Sequence, residues 1–165
     1  LVPRKPERFG EVARLIEHAG FSCVRRSEHP DDGPIPSLSD SDVVLGDTMG
    51  ELRKFYSLAR IVFVGRSLVP MGGSDPMEVA ALGKPILIGP HHDNFRLPVE
   101  ALQGNDAIRV VERVGELPAT VLAVLGDDTL AAGLGSRARD VVLRNQGATE
   151  RTASRIVGLI EGSDL

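Results

Sequence analysis

Short apolar runs alternate with segments of helical periodicity, and this alternation constrains the fold more than any other feature of the sequence. The apolar runs are continuous and rich in valine and isoleucine, as expected for parallel strands buried on both faces. They lie at Leu1–Pro3, Phe21–Arg25, Asp42–Leu45, Ile61–Val64, Ile86–Ile88 and Ala107–Val111. Helical spacing predicts helices at Pro6–Ala19, Met49–Ala59, Asp75–Leu82, Phe95–Gln103, 116–125, 128–145 and 148–161. This order predicts a doubly wound parallel α/β sheet followed by C-terminal helices.

Length and charge bound the remaining possibilities. The chain has 165 residues, which fits a single domain spanning 1–165. A formal net charge of −4 gives no nucleic-acid footprint, and no run of 18 apolar residues is present to span a bilayer. The segment Ser27–Asp40, rich in Pro, Asp, Ser and Gly, predicts a long surface loop. The chain starts at Leu1 without an initiator methionine, so we expect a piece of a longer protein.

The stretch from Gly65 to Phe95 carries most of the functional information. It follows an apolar strand and contains the Gly72-Gly73 pair, a helix start and a second apolar strand. A strand, a glycine loop and a helix N-terminus in this order favour an anion, because unpaired backbone N–H groups and the helix dipole converge there. A nucleotide or sugar phosphate is the expected ligand. The glycine pair is equally compatible with a tight turn alone.

The segment Asp75-Pro76-Met77-Glu78 has the spacing of a capping box, with proline at the first helical position. Helix initiation explains these residue types without a ligand. A carboxylate three residues past the cap and beside a glycine turn also suits the hydroxyls of a ribose. The two interpretations are compatible.

Two further segments follow predicted strands. Thr48 and Glu51 have capping-box spacing, which predicts either a plain helix start or a loop in which Met49 packs on a base. Arg4, at the carboxyl end of the first predicted strand, is either a surface arginine or a partner for phosphate.

Several kinds of site are disfavoured. His91-His92-Asp93 has no second group of ligands at metal-binding spacing, so we expect no metal and give the histidines a role in bonding a ligand or a neighbouring loop. Ser67 and Ser74 lack a nucleophile elbow, and Gly72-Gly73 continues into neither a dinucleotide fingerprint nor a phosphate-binding loop with Gly-Lys-Ser/Thr.

Several of these segments together resemble the C-terminal half of the 3-deoxy-D-manno-octulosonic acid (Kdo) transferases, which add Kdo to lipid A. The central run is similar to the family pattern Gly-Gly-Ser-Leu-Val-Pro-x-Gly-Gly-His-Asn-Pro-Leu-Glu-Pro-Ala, followed by Gly-Lys-Pro-Val and Gly-Pro-His-x-x-Asn-Phe. The other matching runs are 2–9, 45–52 and 145–152. The resemblance therefore spans nearly the whole chain.

The resemblance implies a GT-B glycosyltransferase built from two Rossmann-like domains, of which this chain is the donor-binding one. It implies CMP-Kdo or CMP as ligand and no cofactor. A lipid A precursor would be held by an N-terminal domain absent here, so the isolated fragment is expected to be inactive and its catalytic base is not assigned. The full-length protein would work at the cytoplasmic face of the bacterial inner membrane, with this domain soluble in the cytoplasm. The residues implied to line the CMP site are Pro3, Arg4, Met49, Gly50, Glu51, Gly72, Gly73, Ser74, Asp75, Pro76, Met77 and Glu78.

The chain departs from the family pattern at a few positions. Ser74 and Asp75 replace His-Asn, and the other departures are Lys5 for a histidine, Arg66 for a glycine and Val79 for a proline. Asp75 brings a carboxylate to the place where an anionic donor is expected. A non-catalytic nucleotide-binding module and another GT-B nucleotide-sugar enzyme are therefore alternative functions.

Overall fold

The computed structural model describes residues 1–29, 38–40, 42–147 and 153–158, and it divides into two compact units, Leu1–Leu58 and Ala59–Leu165. All strand pairs in the described residues are parallel. The strands are β1 (Ser22–Arg25), β2 (Asp42–Leu45), β3 (Val62–Val64), β4 (Ile86–Ile88) and β5 (Arg109–Val110). The α-helices whose ends lie within the described residues are α1 (Phe9–His18), α2 (Leu52–Leu58), α3 (Met77–Ala81), α4 (Arg96–Gln103), α5 (Leu117–Leu125) and α6 (Asp128–Asn145). The predicted parallel α/β class is confirmed.

The first unit is built on a two-stranded parallel sheet. Strands β1 and β2 pair from Ser22 opposite Asp42 to Arg25 opposite Leu45. Helix α1 places Ala13 and Ile16 against Leu45, and these three residues form the buried centre of the unit. The apolar stripe of α1 therefore covers the sheet, as its helical spacing predicts.

The second unit is built on a three-stranded parallel sheet in the order β3-β4-β5. Its central strand β4 is completely buried, as expected for a continuous apolar run covered on both faces. Leu87 of β4 packs with Val111, Val124 and Leu134, so helices α5 and α6 contribute to the same core as the sheet.

Helices α3 and α6 approach each other through glycine. A Cβ atom on Gly135 of α6 would stand 2.1 Å from the carbonyl oxygen of Gly83, just after α3. Gly83 itself is left-handed, with φ of 66°. Only glycine at 135 allows this backbone-to-backbone contact.

Several boundaries differ from those predicted, most clearly at Leu1–Pro3, at the starts of α1, α2 and α3, and at both ends of β5. Leu1–Pro3 is not a strand: the Leu1 amine donates to the Val44 carbonyl and the Gly46 N–H donates to the Leu1 carbonyl, both at 2.7 Å, but the ladder stops there. Pro3 has no N–H with which to continue it.

Helix α2 begins at Leu52 rather than Met49, because Gly50 is left-handed with φ of 81°. Helix α3 begins at Met77, two residues later than predicted. Of the predicted helix 148–161, residues 153–158 are helical and the others lie outside the described residues, as do residues 30–37 of the predicted loop Ser27–Asp40.

Candidate functional site

Two loops leave the same edge of the sheet in the second unit. Val64 ends β3 and pairs with Ile88, which ends β4, so the segments 65–76 and 89–95 both start at the carboxyl end of the sheet. Ligands of parallel α/β sheets bind outside this edge, near the loops that follow the strands. We call segment 65–76 the first loop and segment 89–95 the second loop.

Ser67 holds the two loops together. Its hydroxyl donates to the Val64 carbonyl at 2.6 Å and accepts from the Gly89 N–H at 2.8 Å, while its carbonyl accepts from the His91 N–H at 2.9 Å. The side chain is fully buried. Sequence reasoning examined Ser67 as a nucleophile and missed this structural role, since its partners Gly89 and His91 are far away in the chain.

The glycine pair lies where the loops touch. Gly72 and Gly73 have φ of 78° and 75°, which L side chains rarely adopt. The Gly72 carbonyl accepts from the Asn94 N–H at 3.2 Å, and a Cβ on Gly73 would lie 3.1 Å from the Cα of His92. The left-handed backbone and the contact with the second loop therefore explain both glycines without a ligand. Their contact with a phosphate stays a prediction.

The helix start after the glycines differs from the capping box in the sequence analysis. Oδ1 of Asp75 accepts from the Met77 N–H at 2.8 Å, so the aspartate caps the backbone. Pro76 is buried, whereas Ser74 and Met77 are half-buried. Glu78 lies in the first turn of α3, and its exposed carboxylate has no hydrogen-bond or ion-pair partner in the described part of the chain. The Asp75 side chain thus bonds the N–H two residues on rather than that of Glu78, so neither bond of the predicted capping box is formed, and the Glu78 carboxylate stays available.

The second loop also has its own internal contacts. Nδ1 of His92 lies 2.9 Å from the Gly89 carbonyl, within hydrogen-bonding distance. Among the described residues, no three His, Cys, Asp or Glu side chains come together in a group that could hold a metal ion.

In the first unit, Asp47 immediately follows the end of β2 and is 7% exposed. Its carboxylate accepts from Nε of Arg25 at 2.7 Å, from the Ser27 N–H at 2.8 Å and from the Ser27 hydroxyl at 2.7 Å. Burial by itself raises the pKa of this carboxyl, but the hydrogen bonds from Ser27 and Arg25 outweigh it and the pKa is lowered. Asp47 therefore joins the segments that follow β1 and β2 as a carboxylate.

Glu51 has a similar network at the start of α2. It accepts a hydrogen bond from the Thr48 hydroxyl, and its Oε1 accepts from Nζ of Lys54 at 3.0 Å and from Nη2 of Arg26 at 3.1 Å. The hydrogen bonds from Thr48 and Lys54, then the one from Arg26, lower the pKa of Glu51 to about 2. The predicted pairing of Thr48 with Glu51 is thus a side-chain bond, and the carboxylate is already well supplied with donors.

The other candidate residues of this unit lie in that turn or in the N-terminal segment. Met49 is 71% exposed, and Gly50 supplies the left-handed backbone beside it. The two bonds of Leu1 flank Leu45 in the pattern of parallel strands, and Pro3 and Arg4 follow Leu1 in the chain without a further bond of this kind. Arg4 is exposed, and its guanidinium has no partner in the described residues. A role for these residues in binding stays a prediction.

Taken singly, no helix in the described ranges has both the length and the apolar character needed to cross a membrane. A pair bent by 99°, Val114–Leu125 with Asp128–Asn145, meets the criteria of length and composition only when its two parts are combined.

Comparison with known proteins identifies relatives, although no family model matches the chain. The chain is 38% identical over 155 residues to a 3-deoxy-D-manno-octulosonic acid transferase of Haemophilus influenzae, covering 92% of this chain and 34% of the relative. It is 34% identical over 153 residues to the enzyme of the same name from Bordetella pertussis, covering 92% of this chain and 35% of that relative. The chain thus spans about a third of the length of these curated relatives.

A solved structure agrees with the sequence relatives. The chain superposes on the C-terminal CMP-Kdo binding domain of WaaA from Acinetobacter baumannii with a TM-score of 0.78 and 30% sequence identity. The match covers 86% of this chain and 72% of that domain. The chain therefore belongs to the 3-deoxy-D-manno-octulosonic acid transferase family, and its fold is that of the family's C-terminal domain.

Proposed function

We propose that this chain is the donor-binding domain of a glycosyltransferase that transfers Kdo from CMP-Kdo to a lipid A precursor. The observation that carries the proposal is the match to a CMP-Kdo binding domain over 86% of the chain. An N-terminal domain would supply the acceptor site, and the full-length protein would act at the cytoplasmic face of the bacterial inner membrane.

The first loop and the start of α3 support donor binding in the second unit. We propose that backbone groups of Gly72, Gly73 and Ser74 approach the phosphate and that Glu78 accepts the ribose hydroxyls. The Glu78 carboxylate has no partner in the described residues, so it can accept these hydrogen bonds without breaking others. Asp75, Pro76 and Met77 would set the direction of this helix start.

The candidate residues of the first unit are Pro3, Arg4, Met49, Gly50 and Glu51, and we propose them on the family resemblance. Arg4 presents a guanidinium with no described partner, which suits a phosphate oxygen. Met49 presents an exposed apolar side chain, which suits the face of a base. Glu51 is fixed as a carboxylate by its donors and would orient the turn that carries Met49.

In catalysis, this domain would contribute electrostatics. Transfer of Kdo leaves CMP with a free phosphate group, and fixed N–H dipoles aimed at that phosphate stabilise the charge as it develops. The base that activates the acceptor hydroxyl would lie in the N-terminal domain.

Calorimetric titration of the chain with CMP, UMP, GMP and NAD tests the proposal. We expect weak binding of CMP and weaker binding of the other three. An equal response to all four nucleotides, or no response to CMP at millimolar concentration, would count against it.

A second candidate function, a non-catalytic nucleotide-binding module, is favoured by Asp75 alone. It predicts the same CMP titration but no transfer when the domain is joined to its own N-terminal half. Assay of the full-length protein with CMP-Kdo and a lipid A precursor separates the two.

A further inference from the structure

Arg66 occupies a conformation that a side chain rarely adopts. It lies in the first loop, two residues beyond the end of β3, and its φ is 61°. Arginine is not a residue that tolerates the left-handed region well, since a Cβ atom then crowds the following carbonyl oxygen. A strained backbone at the carboxyl edge of a parallel sheet suggests a functional role for the side chain.

Arg66 holds the turn of the first loop from two sides. Its carbonyl accepts from the Gly73 N–H at 3.1 Å, and its Nη2 donates to the Met71 carbonyl at 3.0 Å. The guanidinium is therefore kept beside the glycine turn, next to the segment proposed to receive the phosphate.

The hydrogen-bonding capacity and the charge of this guanidinium are not met by the protein. Nε of Arg66 is buried and has no acceptor in the described part of the chain, and the residue has no carboxylate partner there. A buried donor without an acceptor is costly, and more so on a charged group. The residue as a whole is half-buried, so part of it stays accessible from solvent.

The charges of the first loop also affect how well it can hold an anionic ligand. Arg66 and Asp75 are the charged residues of segment 65–76. Without Arg66 the loop would carry a single negative charge, which repels an anionic ligand. With Arg66 the loop is neutral, and the Nη edge of the guanidinium offers N–H donors to one oxyanion beside the bond from Nη2 to the Met71 carbonyl.

We propose that Arg66 binds an oxyanion of the donor, either the phosphate of the nucleotide or the carboxylate of the sugar acid. The inference rests on the proposed function, because it takes the first loop as part of the donor site. It assigns to Arg66 a direct contact that offsets Asp75 in this particular chain.

The experiment compares Arg66→Gln and Arg66→Lys with the unchanged chain by calorimetry, using CMP, cytidine and CMP-Kdo as probes. Arg60→Gln is the matched control, because Arg60 precedes β3 at the opposite end of the strand and pairs only with the exposed Asp128 in the described residues. We expect Arg66→Gln to weaken CMP-Kdo binding at least tenfold, Arg66→Lys to weaken it less, and cytidine binding to stay unchanged. The control should bind all three probes like the unchanged chain.

The ligands distinguish the two oxyanions. A loss seen with both CMP and CMP-Kdo identifies the phosphate, whereas a loss seen only with CMP-Kdo identifies the carboxylate. Equal affinity of Arg66→Gln and the unchanged chain for both ligands overturns the inference, while CMP binding by the unchanged chain still upholds the proposed function. If the unchanged chain binds neither ligand, the proposed function is overturned together with this inference.

A second variant separates binding from folding. Arg66→Gly removes the guanidinium and also relieves the left-handed strain, so it should resist urea at least as well as Arg66→Gln while binding CMP-Kdo equally poorly. A purely structural role for Arg66 predicts the opposite. Arg66→Gly should then be less stable than Arg66→Gln, and its affinities for cytidine and CMP should fall by the same factor.

Discussion

The Ser67 hydroxyl accepts a hydrogen bond from the Gly89 N–H at 2.8 Å, and this bond joins the two loops at the carboxyl edge of the sheet. Ser67 is fully buried, so no water can replace the lost partner easily if the hydroxyl is removed. The geometry of the candidate donor site in the second unit therefore depends on one serine that need not touch a ligand.

Ser67→Ala should lower the free energy of unfolding by about 1–3 kcal/mol, because it leaves the Gly89 N–H buried and unpaired. Urea unfolding followed by circular dichroism measures this. Ser57→Ala is the control: Ser57 is exposed and its hydroxyl donates to the Lys54 carbonyl at 2.7 Å, so its loss should change stability by less than about 0.5 kcal/mol. Equal effects of the two substitutions would show that Ser67 does not hold the loops.

Glu78→Gln should weaken CMP binding by about 1.5–3 kcal/mol, the range for hydrogen bonds to charged groups. The folded chain should keep its stability, because the Glu78 carboxylate has no partner in the described residues. Glu100→Gln, on α4, removes an exposed carboxylate of the same unit and should leave CMP binding unchanged. Unaltered CMP affinity in folded Glu78→Gln would exclude the ribose contact.

Asp75→Asn should strengthen CMP binding, since the carboxylate repels a nearby phosphate. At a separation of about 4 Å this repulsion is worth roughly 1–4 kcal/mol, depending on the local dielectric. The gain should be larger at low salt. Calorimetry at two ionic strengths measures both effects, and stability should change little because asparagine can also accept from the Met77 N–H. Equal or weaker CMP binding by the variant would mean that Asp75 faces away from the phosphate.

Glu51 should make the stability of the chain sensitive to acid. Its pKa is about 2 in the folded chain, below its ordinary value of 4.5, so its stabilising contribution is complete above about pH 4.5 and is lost as the pH falls toward 2. Urea midpoints measured between pH 2 and pH 6 should therefore converge for the unchanged chain and Glu51→Gln at the acid end. Glu17→Gln is the control for loss of a carboxylate, because Glu17 is exposed on α1 and has no hydrogen-bond or ion-pair partner in the described residues. A constant difference between Glu51→Gln and the unchanged chain across this range would contradict the assignment.

The chain alone should not transfer Kdo, because the acceptor site is expected in a domain outside it. Assay with CMP-Kdo and a lipid A precursor checks this, with the full-length protein as the positive control. Turnover by the isolated chain would show that the division of roles between the domains is wrong.

Local pattern predicted the elements of this fold better than their contacts. The apolar run at Ile86–Ile88 became β4 within the predicted limits because burial on both faces leaves a clear local signature. The start of α2 was predicted wrongly because the left-handed Gly50 interrupts a periodicity that Met49 would otherwise extend. Helical spacing does not report the sign of φ.

The networks around the candidate sites depend on long-range partners. Ser67 meets Gly89 from 22 residues away, and Glu51 meets Arg26 from 25 residues away. No local signal marks such pairs in one sequence. The residue types at 75 and 78 did predict a helix start, and the structure adds that the Asp75 side chain accepts a backbone N–H while Glu78 accepts none in the described residues.

Because Gly83 and Gly135 are in contact, helix α6 fixes the direction of α3, although Gly135 lies about sixty residues after the glycine turn. A methyl group at position 135 would push α3 away, and the segment from Ser74 to Glu78 would move with it. In a library of random variants sorted for nucleotide binding, substitutions at position 135 would therefore be lost as strongly as substitutions at a residue that contacts the nucleotide. A mutational map of this domain records the mechanical supports of the donor loop together with its ligand contacts, and the two classes separate only when folding is measured beside binding.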